Sequence, residues 1–218
     1  MRKLTVNTFI SLDGVMQAPG GPQEDPTGGF THGGWNATFW DGVMGEAMSK
    51  DFDKPTDLLL GRKTYEIFAA HWPYVTGDPV ADRLNGMTKY VASRTLERVD
   101  WSGSNLLEGD AGDAVAELKR QPGPDLQVHG SGGLLQTLLS RDLVDEFGVW
   151  TFPLLLGHGK RLFGGGTVPA GLRLVDSQVS TTGVIIASYR RDGDVPLGSF
   201  QLAEPTEAEL RRRTALGN

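Results

Sequence analysis

The 218-residue sequence contains no cysteine, and this excludes disulfide bridges, thiolate metal sites and cysteine nucleophiles. It also lacks a run of about 20 apolar residues of the kind that crosses a bilayer. The histidines lie in separate segments, so none forms a close pair of metal ligands; they are His32, His71, His129 and His158. We therefore expect no bound metal and no membrane partner.

The first residues form only a short apolar run that is interrupted by Thr5, Asn7 and Thr8. This pattern predicts a strand rather than a signal peptide. Together with the absence of cysteine, it leads us to expect a cytoplasmic protein.

Basic residues are in the minority and are scattered along the chain, and the formal net charge is −6. This argues against a nucleic-acid partner. The hydrophobic content of 39% and the charged content of 22% are ordinary for a globular protein with a full core. We predict one domain over residues 1–191, followed by a polar tail over residues 192–218, in which Thr206 and Glu209 form a capping box for a terminal helix.

The most informative stretch is 126–147, LQVHGSGGLLQTLLSRDLVDEF. It predicts a buried strand to His129, a small-residue turn over 130–133, and an amphipathic helix whose leucines recur at helical spacing. The first N–H groups of a helix lack partners and carry the positive end of its dipole. Glycines there either admit a nucleotide pyrophosphate or merely allow a sharp corner. Leu135 stands where the Rossmann fingerprint requires glycine, and no P-loop lysine follows.

Two further predicted strands end beside polar or cationic residues. The strand 57–61 runs into a helix that begins with Arg62 and Lys63, and the strand 90–92 leads to Ser93 and Arg94. Two cations at a positive helix end are unfavourable unless an anion compensates them, although they also fit an exposed surface pair. Because the carboxyl ends of strands form the ligand crevice of an open α/β sheet, we expect these segments to converge.

The remaining patterns complete a mixed sheet. We predict strands at 3–10, 105–108 and 146–152, helices at 39–52 and 113–120, a glycine-rich loop at 153–166, and a closing antiparallel hairpin of 172–180 with 183–190. The long loop at 17–36, rich in glycine and proline, is either a functional lid or an unstructured insertion.

Taken together, the motifs resemble the dihydrofolate reductase superfamily, in particular the branch of the riboflavin-biosynthesis reductase (the RibD C-terminal domain). They are FISLDGVM (9–16), LLLGRKTYE (58–66), VASRTL (91–96), VHGSGGLLQTLL (128–139) and LLLGHGKRLF (154–163). The resemblance covers residues 1 to about 191. It implies a three-layer α/β/α dihydrofolate reductase-like fold with a mixed, mainly parallel sheet and an antiparallel terminal strand.

The resemblance also implies that the cofactor is NADPH. It assigns the pyrophosphate and adenosine side to Gly61, Arg62, Lys63 and Thr64. It assigns the 2′-phosphate to Ser93 and Arg94, since a guanidinium binds phosphate in a bidentate manner. The pyrophosphate would also be covered by Gly130, Ser131, Gly132, Gly133 and Leu134. The nicotinamide and the substrate would be bordered by Leu12, Asp13, Gly14 and Val15.

The implied chemistry is hydride transfer to an electrophilic carbon, with a proton supplied by the protein or by water. Asp13 is the first candidate for the acid, because it lies on the motif loop, although it also fits a role as a turn cap. Asp41 and Glu46, on the following helix, are the second candidates.

Two departures from the family pattern narrow the function. The Trp-x-x-Pro context of the folate-binding carboxylate is missing, and neither cysteines nor extra length exist for a fused zinc deaminase. We therefore expect an NADPH-dependent reductase acting on a small heterocyclic or carbonyl molecule, similar to the phosphoribosylamino-uracil reductase of riboflavin biosynthesis. The alternatives are dihydrofolate reductase and a non-catalytic nucleotide-binding sensor. Homodimers are common in this branch, so a second copy of the chain is an expected partner.

Overall fold

The structure is a computed structural model that describes residues 1–164 and 167–216. Its centre is an eight-stranded sheet with the order β4-β3-β2-β5-β1-β6-β8-β7. The strands are β1 (Leu4–Ser11), β2 (Thr56–Gly61), β3 (Lys89–Ala92), β4 (Ser104–Leu107), β5 (Asp125–His129), β6 (Glu146–Phe152), β7 (Leu172–Val179) and β8 (Ile185–Arg191).

The helices that the structure describes are α1 (Gly42–Phe52), α2 (Arg62–Ala69), α3 (Pro79–Gly86), α4 (Ala111–Arg120), α5 (Gly132–Ser140) and α6 (Glu207–Leu216). Short 3₁₀ turns occur at Thr27–Gly29, Ala37–Phe39 and Trp72–Tyr74. Within these described ranges, no helix has the length and apolar character needed to cross a membrane.

Neighbouring strands from β4 to β6 are parallel, whereas β8 pairs antiparallel with both β6 and β7. The central strand β2 is almost continuously buried, as expected for a strand covered on both faces. In β1, buried residues alternate with partly exposed ones, so its two faces meet different surroundings. The expected mixed sheet with its antiparallel end is confirmed.

Helices cover both faces of the sheet. On one face, α4 and α5 enclose a core that includes Val6, Val128 and Leu135. On the other face, α1 covers an aromatic cluster around Trp150 and Phe152, and α2 and α3 cover a separate cluster around Leu58 and Leu60. A gap thus lies between α1 and α2, above the central strands, and it is here that the candidate site is found.

One helix prediction needs correction, and one helix of the structure was not predicted. The helix predicted from Phe39 begins at Gly42, because the Asp41 carboxylate caps it by accepting a hydrogen bond from the Met44 N–H at 2.9 Å. Helix α3 was not predicted, although Asp78 caps it and Pro79 occupies its first turn.

The terminal helix is present, and Thr206 Oγ1 accepts a hydrogen bond from the Glu209 N–H at 3.3 Å. The sheet ends at Arg191. Of the segments predicted as the glycine-rich loop and the tail, Gly165, Gly166, Gly217 and Asn218 lie outside the described residues.

Candidate functional site

The amino-terminal ends of α2 and α5 are held side by side by Ser131. Its hydroxyl group accepts a hydrogen bond from the Gly61 N–H at 2.9 Å and donates one to the His129 carbonyl at 3.2 Å. Its own N–H donates to Thr64 Oγ1 at 3.0 Å. Since each helix end carries a positive partial charge, the pair forms one electropositive edge.

The glycines at this edge have different surroundings. A Cβ atom on Gly61 would lie 3.4 Å from Ser131 Cβ, and Gly130 has a φ of +58° that favours glycine. A Cβ on Gly133 would meet no atom within 4 Å, so the main chain there is open to a ligand.

These helix ends open into a large cleft of about 1950 Å³. A pocket for one small ligand measures roughly 300–1,000 Å³, so this cleft has room for two. The expected cofactor residues that line it are Gly61, Arg62, Lys63, Thr64, Ser93, Arg94, Gly130, Ser131, Gly132, Gly133 and Leu134. The three strand ends therefore converge on one cavity.

The electropositive edge also carries cations. Arg62 forms an ion pair with Glu66 at 3.3 Å. In the described part of the chain, Lys63 and Arg94 have no carboxylate partner. Ser93 Oγ accepts hydrogen bonds from the N–H groups of Thr95 and Leu96 at 3.1 and 2.9 Å, which leaves its hydroxyl proton for another acceptor.

This donor set fits a dinucleotide that carries several phosphates. Two helix ends supply N–H groups, glycines allow close approach, and no carboxylate of residues 1–164 or 167–216 pairs with Lys63 or Arg94. NADPH has such phosphates, so the residues present match the cofactor that the sequence pattern implies.

The loop 17–36 is a packed wall rather than an unstructured insertion. Gln17 Nε2 donates to the carbonyls of Asp25 and Thr27, each at 2.9 Å, and Gln17 Oε1 accepts from the Lys160 N–H at 3.0 Å. The Trp35 indole donates to the Gln17 carbonyl at 2.7 Å. Lys160 Nζ forms an ion pair with Asp25. Residues 17–27 line the cleft, and whether they close over a ligand stays a prediction.

The opposite half of the cleft has a different character. Met48, Asp51 and Phe52 of α1 face it, as does Glu24 of the loop. Burial raises the pKa of Asp51 and also that of Glu24. The Glu24 carboxylate already accepts the N–H groups of Gly20 and Gly21, at 2.6 and 3.2 Å. The Asp51 carboxylate lies 3.8 Å from Lys54 Nζ, but the effect of burial on its pKa is the larger one. Asp51 is therefore the better placed of the two to carry a proton.

Asp13, the first candidate for the acid, lies outside the wall of the cleft. Its carboxylate accepts hydrogen bonds from the Ser11 hydroxyl at 2.6 Å and from the N–H groups of Leu156 and Gly157 at 3.1 and 2.9 Å. These bonds, with that of Ser11 the strongest, lower the pKa of Asp13 to about 2. A group that stays ionised in this way holds two loops together and is a poor proton donor.

The second candidates for the acid also lie outside the cleft wall. Asp41 caps α1 and accepts from the hydroxyl of Thr181 at 2.6 Å, which lowers its pKa. Glu46 is exposed on α1.

The residues expected to border the nicotinamide are placed beside the cleft rather than in its wall. Leu12 is exposed, Val15 is buried in the aromatic cluster, and Gly14 turns the chain with a φ of +83°. The next residues of the motif, Met16 and Gln17, do line the cleft.

The polar residues of the site that sequence reasoning missed include Asn7, Asp51, Gln127 and His129. Asp51 follows Met48 by three residues and Ala47 by four, so the helical spacing places it on the apolar face of α1. The amide and imidazole side chains within buried strands were a second signal of a binding site, because such polar groups are uncommon on a covered sheet face.

The family model of the RibD C-terminal domain matches residues 2–186. The chain belongs to the RibD C-terminal domain family. One curated relative of this RibD C-terminal domain is the uncharacterized protein YyaP of Bacillus subtilis, which is 28% identical over 206 residues and aligns with 88% of this chain and 96% of its own.

Solved structures share the fold. A putative riboflavin biosynthesis protein from Shewanella sp. PV-4 aligns with a TM-score of 0.61 and 23% identity, over 87% of this chain and 99% of its own. Dihydrofolate reductase from Enterococcus faecalis, in a complex with NADP(H) and an inhibitor named RAB-propyl, aligns with a TM-score of 0.55 and 13% identity, over 87% and 96% of the two chains. The dihydrofolate reductase-like fold is thus confirmed.

Over the ranges 1–164 and 167–216, no group of three or more acidic, histidine or cysteine side chains is arranged to hold a metal ion.

Proposed function

We propose that this RibD C-terminal domain is an NADPH-dependent reductase that transfers a hydride to a small heterocyclic or carbonyl substrate. The observation that supports it most is one cleft in which two helix amino termini and a polar strand floor meet two cations, Lys63 and Arg94, that form no ion pair with a carboxylate among the described residues. Membership of a reductase-type family supports the same conclusion.

NADPH, when bound, supplies the hydride. Lys63, Thr64 and the 130–134 turn would hold its pyrophosphate, and Ser93 and Arg94 its 2′-phosphate. The walls formed by α1 and the loop 17–36 limit the access of water to the reacting carbon. We assign the proton to Asp51 in place of Asp13, because burial raises the pKa of Asp51 and its side chain faces the cleft.

Calorimetric titration with NADPH and NADH tests the proposal. The variant Arg94→Ala tests the assignment of the 2′-phosphate. The purified wild-type protein should bind NADPH more tightly than NADH. Removing Arg94 should reduce this preference by about tenfold or more, since a charge-assisted contact to phosphate is lost. NADH affinity should be nearly unchanged.

Arg98→Ala is the matched control, because Arg98 is an exposed arginine a few residues away that pairs with Asp100 at 3.4 Å and does not line the cleft. It should keep the full preference for NADPH. If wild-type protein binds neither nucleotide, the reductase proposal fails. If it binds both equally, the 2′-phosphate assignment fails.

A further inference from the structure

A second, smaller cavity lies between α2, the 3₁₀ turn at Trp72–Tyr74 and the segment that precedes β4. Its volume of about 560 Å³ is that of a pocket for one small ligand. Three aromatic side chains line this α2 hollow, together with two carboxylates; they are Tyr65, Tyr74 and Trp101, and Glu66 and Asp100. No lysine, arginine or histidine is among the described residues that line it.

Hydrogen bonds hold the walls of the α2 hollow in place. The Tyr65 hydroxyl oxygen accepts a hydrogen bond from the Trp101 N–H at 3.1 Å. The Trp101 indole N–H donates to Asn85 Oδ1 at 2.8 Å, and Asn85 Nδ2 donates to the Trp72 carbonyl at 2.9 Å. Tyr65 and Trp101 are themselves buried. A ligand would therefore enter a formed cavity and would order few side chains on binding.

The Trp101 ring already supports a positive charge. Lys89 Nζ lies 4.2 Å from the centre of this ring, in a cation–π contact. Lys89 is fully buried and does not line the hollow. Its N–H groups donate to the carbonyls of Asn85, Met87 and Ser102 at 2.8–2.9 Å, and these dipoles offset its charge.

The two carboxylates give the α2 hollow a negative rim. Glu66 pairs with Arg62 at 3.3 Å, and Asp100 pairs with Arg98 at 3.4 Å. Both ion pairs are exposed, and such pairs are weak, so a ligand cation can replace either arginine. Aromatic faces and carboxylates both attract cations, whereas they repel a phosphate or a carboxylate ligand.

The α2 hollow is also linked to the cleft. Glu66 and Ala70 line both cavities. Arg62, the partner of Glu66, lies one turn earlier on α2 and lines the cleft at its electropositive edge. A cation that pairs with Glu66 would release Arg62 toward a phosphate in the cleft.

We propose that the α2 hollow is a second ligand site, which takes a small organic cation such as a substituted ammonium, and that its occupant strengthens cofactor binding through Glu66 and Arg62. The second part rests on the proposed reductase function, because it needs a phosphate-bearing cofactor in the cleft.

The test of the site uses choline and 3,3-dimethylbutan-1-ol, which has the same shape with an uncharged carbon in place of the nitrogen. Binding to the purified protein is followed by the shift of the Trp101 indole N–H resonance during NMR titration without nucleotide. Wild-type protein should bind choline about five- to tenfold more tightly than the alcohol, as expected for a cation–π contact.

Variants of Tyr74 separate cation binding from simple apolar contact. Tyr74 is 79% exposed, so its replacement should leave the fold intact. Tyr74→Leu keeps apolar surface but loses the ring, and it should lose most of the preference for choline. Tyr74→Phe keeps the ring and should retain the preference. Glu97→Gln is the control for charge, because Glu97 is exposed nearby and lines neither cavity; it should bind choline as wild type does.

Calorimetric titration with NADPH tests the link between the two cavities. Saturating choline should tighten NADPH binding to wild-type protein by about twofold, since only an exposed ion pair is exchanged. Glu66→Gln should show the same gain without choline and no further gain with it. Glu97→Gln should respond to choline as wild type does.

The site is overturned if neither probe shifts the Trp101 resonance, if both bind equally, or if Tyr74→Leu retains the preference for choline. The link is overturned if choline leaves the NADPH affinity of wild-type protein unchanged. Absence of NADPH binding counts against the reductase function, and the choline titration without nucleotide still decides whether the α2 hollow is a site.

Discussion

Two aspartates show how burial and hydrogen bonding give the same side chain different properties. Asp13 is surrounded by donors from Ser11, Leu156 and Gly157, which favour its charged form. Asp51 lies against the apolar residues Met48 and Phe52 in the cleft wall, and loss of water disfavours its charge. One carboxyl is therefore suited to fastening loops and the other to carrying a proton.

Replacing Asp13 with asparagine should weaken the acid stability of the fold. The folded pKa of about 2 lies below the ordinary value of 3.8, so the contribution of Asp13 is present above pH 4 and is lost as the pH falls through 2. Asp13→Asn should lower the free energy of unfolding at pH 7 by about 1–2 kcal/mol, a range that allows for solvent screening.

Urea denaturation at several pH values measures this effect. The difference between wild type and Asp13→Asn should shrink steadily between pH 4 and pH 2. Asp100→Asn, at an exposed ion pair, should show no comparable change. A pH-independent difference between wild type and Asp13→Asn would contradict the account.

The sequence identified the residues of the electropositive edge but not the acid that faces the cleft. Gly61 ends one strand, and Ser93 and Gly130 directly follow two others, so local pattern alone placed them at one edge of the sheet. Asp13 and Asp51 differ instead in their surroundings: the loop at 156–157 reaches back to Asp13, and partial burial in the cleft wall raises the pKa of Asp51. Such contacts cannot be recognised from the sequence around each residue.

At the scale of elements, the loop 17–36 owes its order to a few polar anchors. Gln17 binds both sides of the loop, and Lys160 joins Asp25 and also donates to Thr27 Oγ1 at 3.0 Å. The glycines and prolines of this segment predict irregular structure correctly but do not reveal its anchors, which come from residue 160, far along the chain.

Lys160→Ala should loosen this wall without unfolding the sheet. Because the ion pair is partly exposed, amide hydrogen exchange over residues 18–34 should speed up only about two- to fivefold. Exchange in β2 and β5 should be unaffected. Lys50→Ala, at an exposed position in the last turn of α1, is the control. If the loop is equally protected in Lys160→Ala, the hydrogen bonds of Gln17 are enough to keep the loop ordered.

Element boundaries were predictable where patterning was strong. The strand 146–152 was predicted to the residue, and β2 and β5 to within one, because their apolar residues end abruptly at glycine, proline or turn residues. Helix α3 was missed because its eight residues bury only Ala81 and Leu84, too few for a clear period.

The whole molecule leaves one edge of the sheet apolar and open. In the described structure, strand β7 pairs only with β8, and its exposed residues include Leu172, Leu174, Val175 and Val179. Long exposed strand edges with apolar side chains promote association. We therefore expect a second copy of the chain to cover β7.

Sedimentation analysis of the purified protein at micromolar concentration tests this expectation. Wild type should sediment as a dimer, and Leu174→Arg as a monomer. Leu197→Arg, in the exposed segment that follows the sheet, should remain dimeric. If the wild-type protein is monomeric, the expectation that β7 forms an interface between two copies is wrong.

Ser131 has a consequence for attempts to engineer this protein. Its φ of +57° is a left-handed conformation that costs a non-glycine residue about 1–2 kcal/mol. Glycine at this position would relieve the strain, and a search for thermostable variants would select it. The same change would remove the hydroxyl that joins the ends of α2 and α5. A variant chosen for its relaxed backbone would thus keep one contact between the two helix ends, the N–H of residue 131 to Thr64 Oγ1, and lose the other.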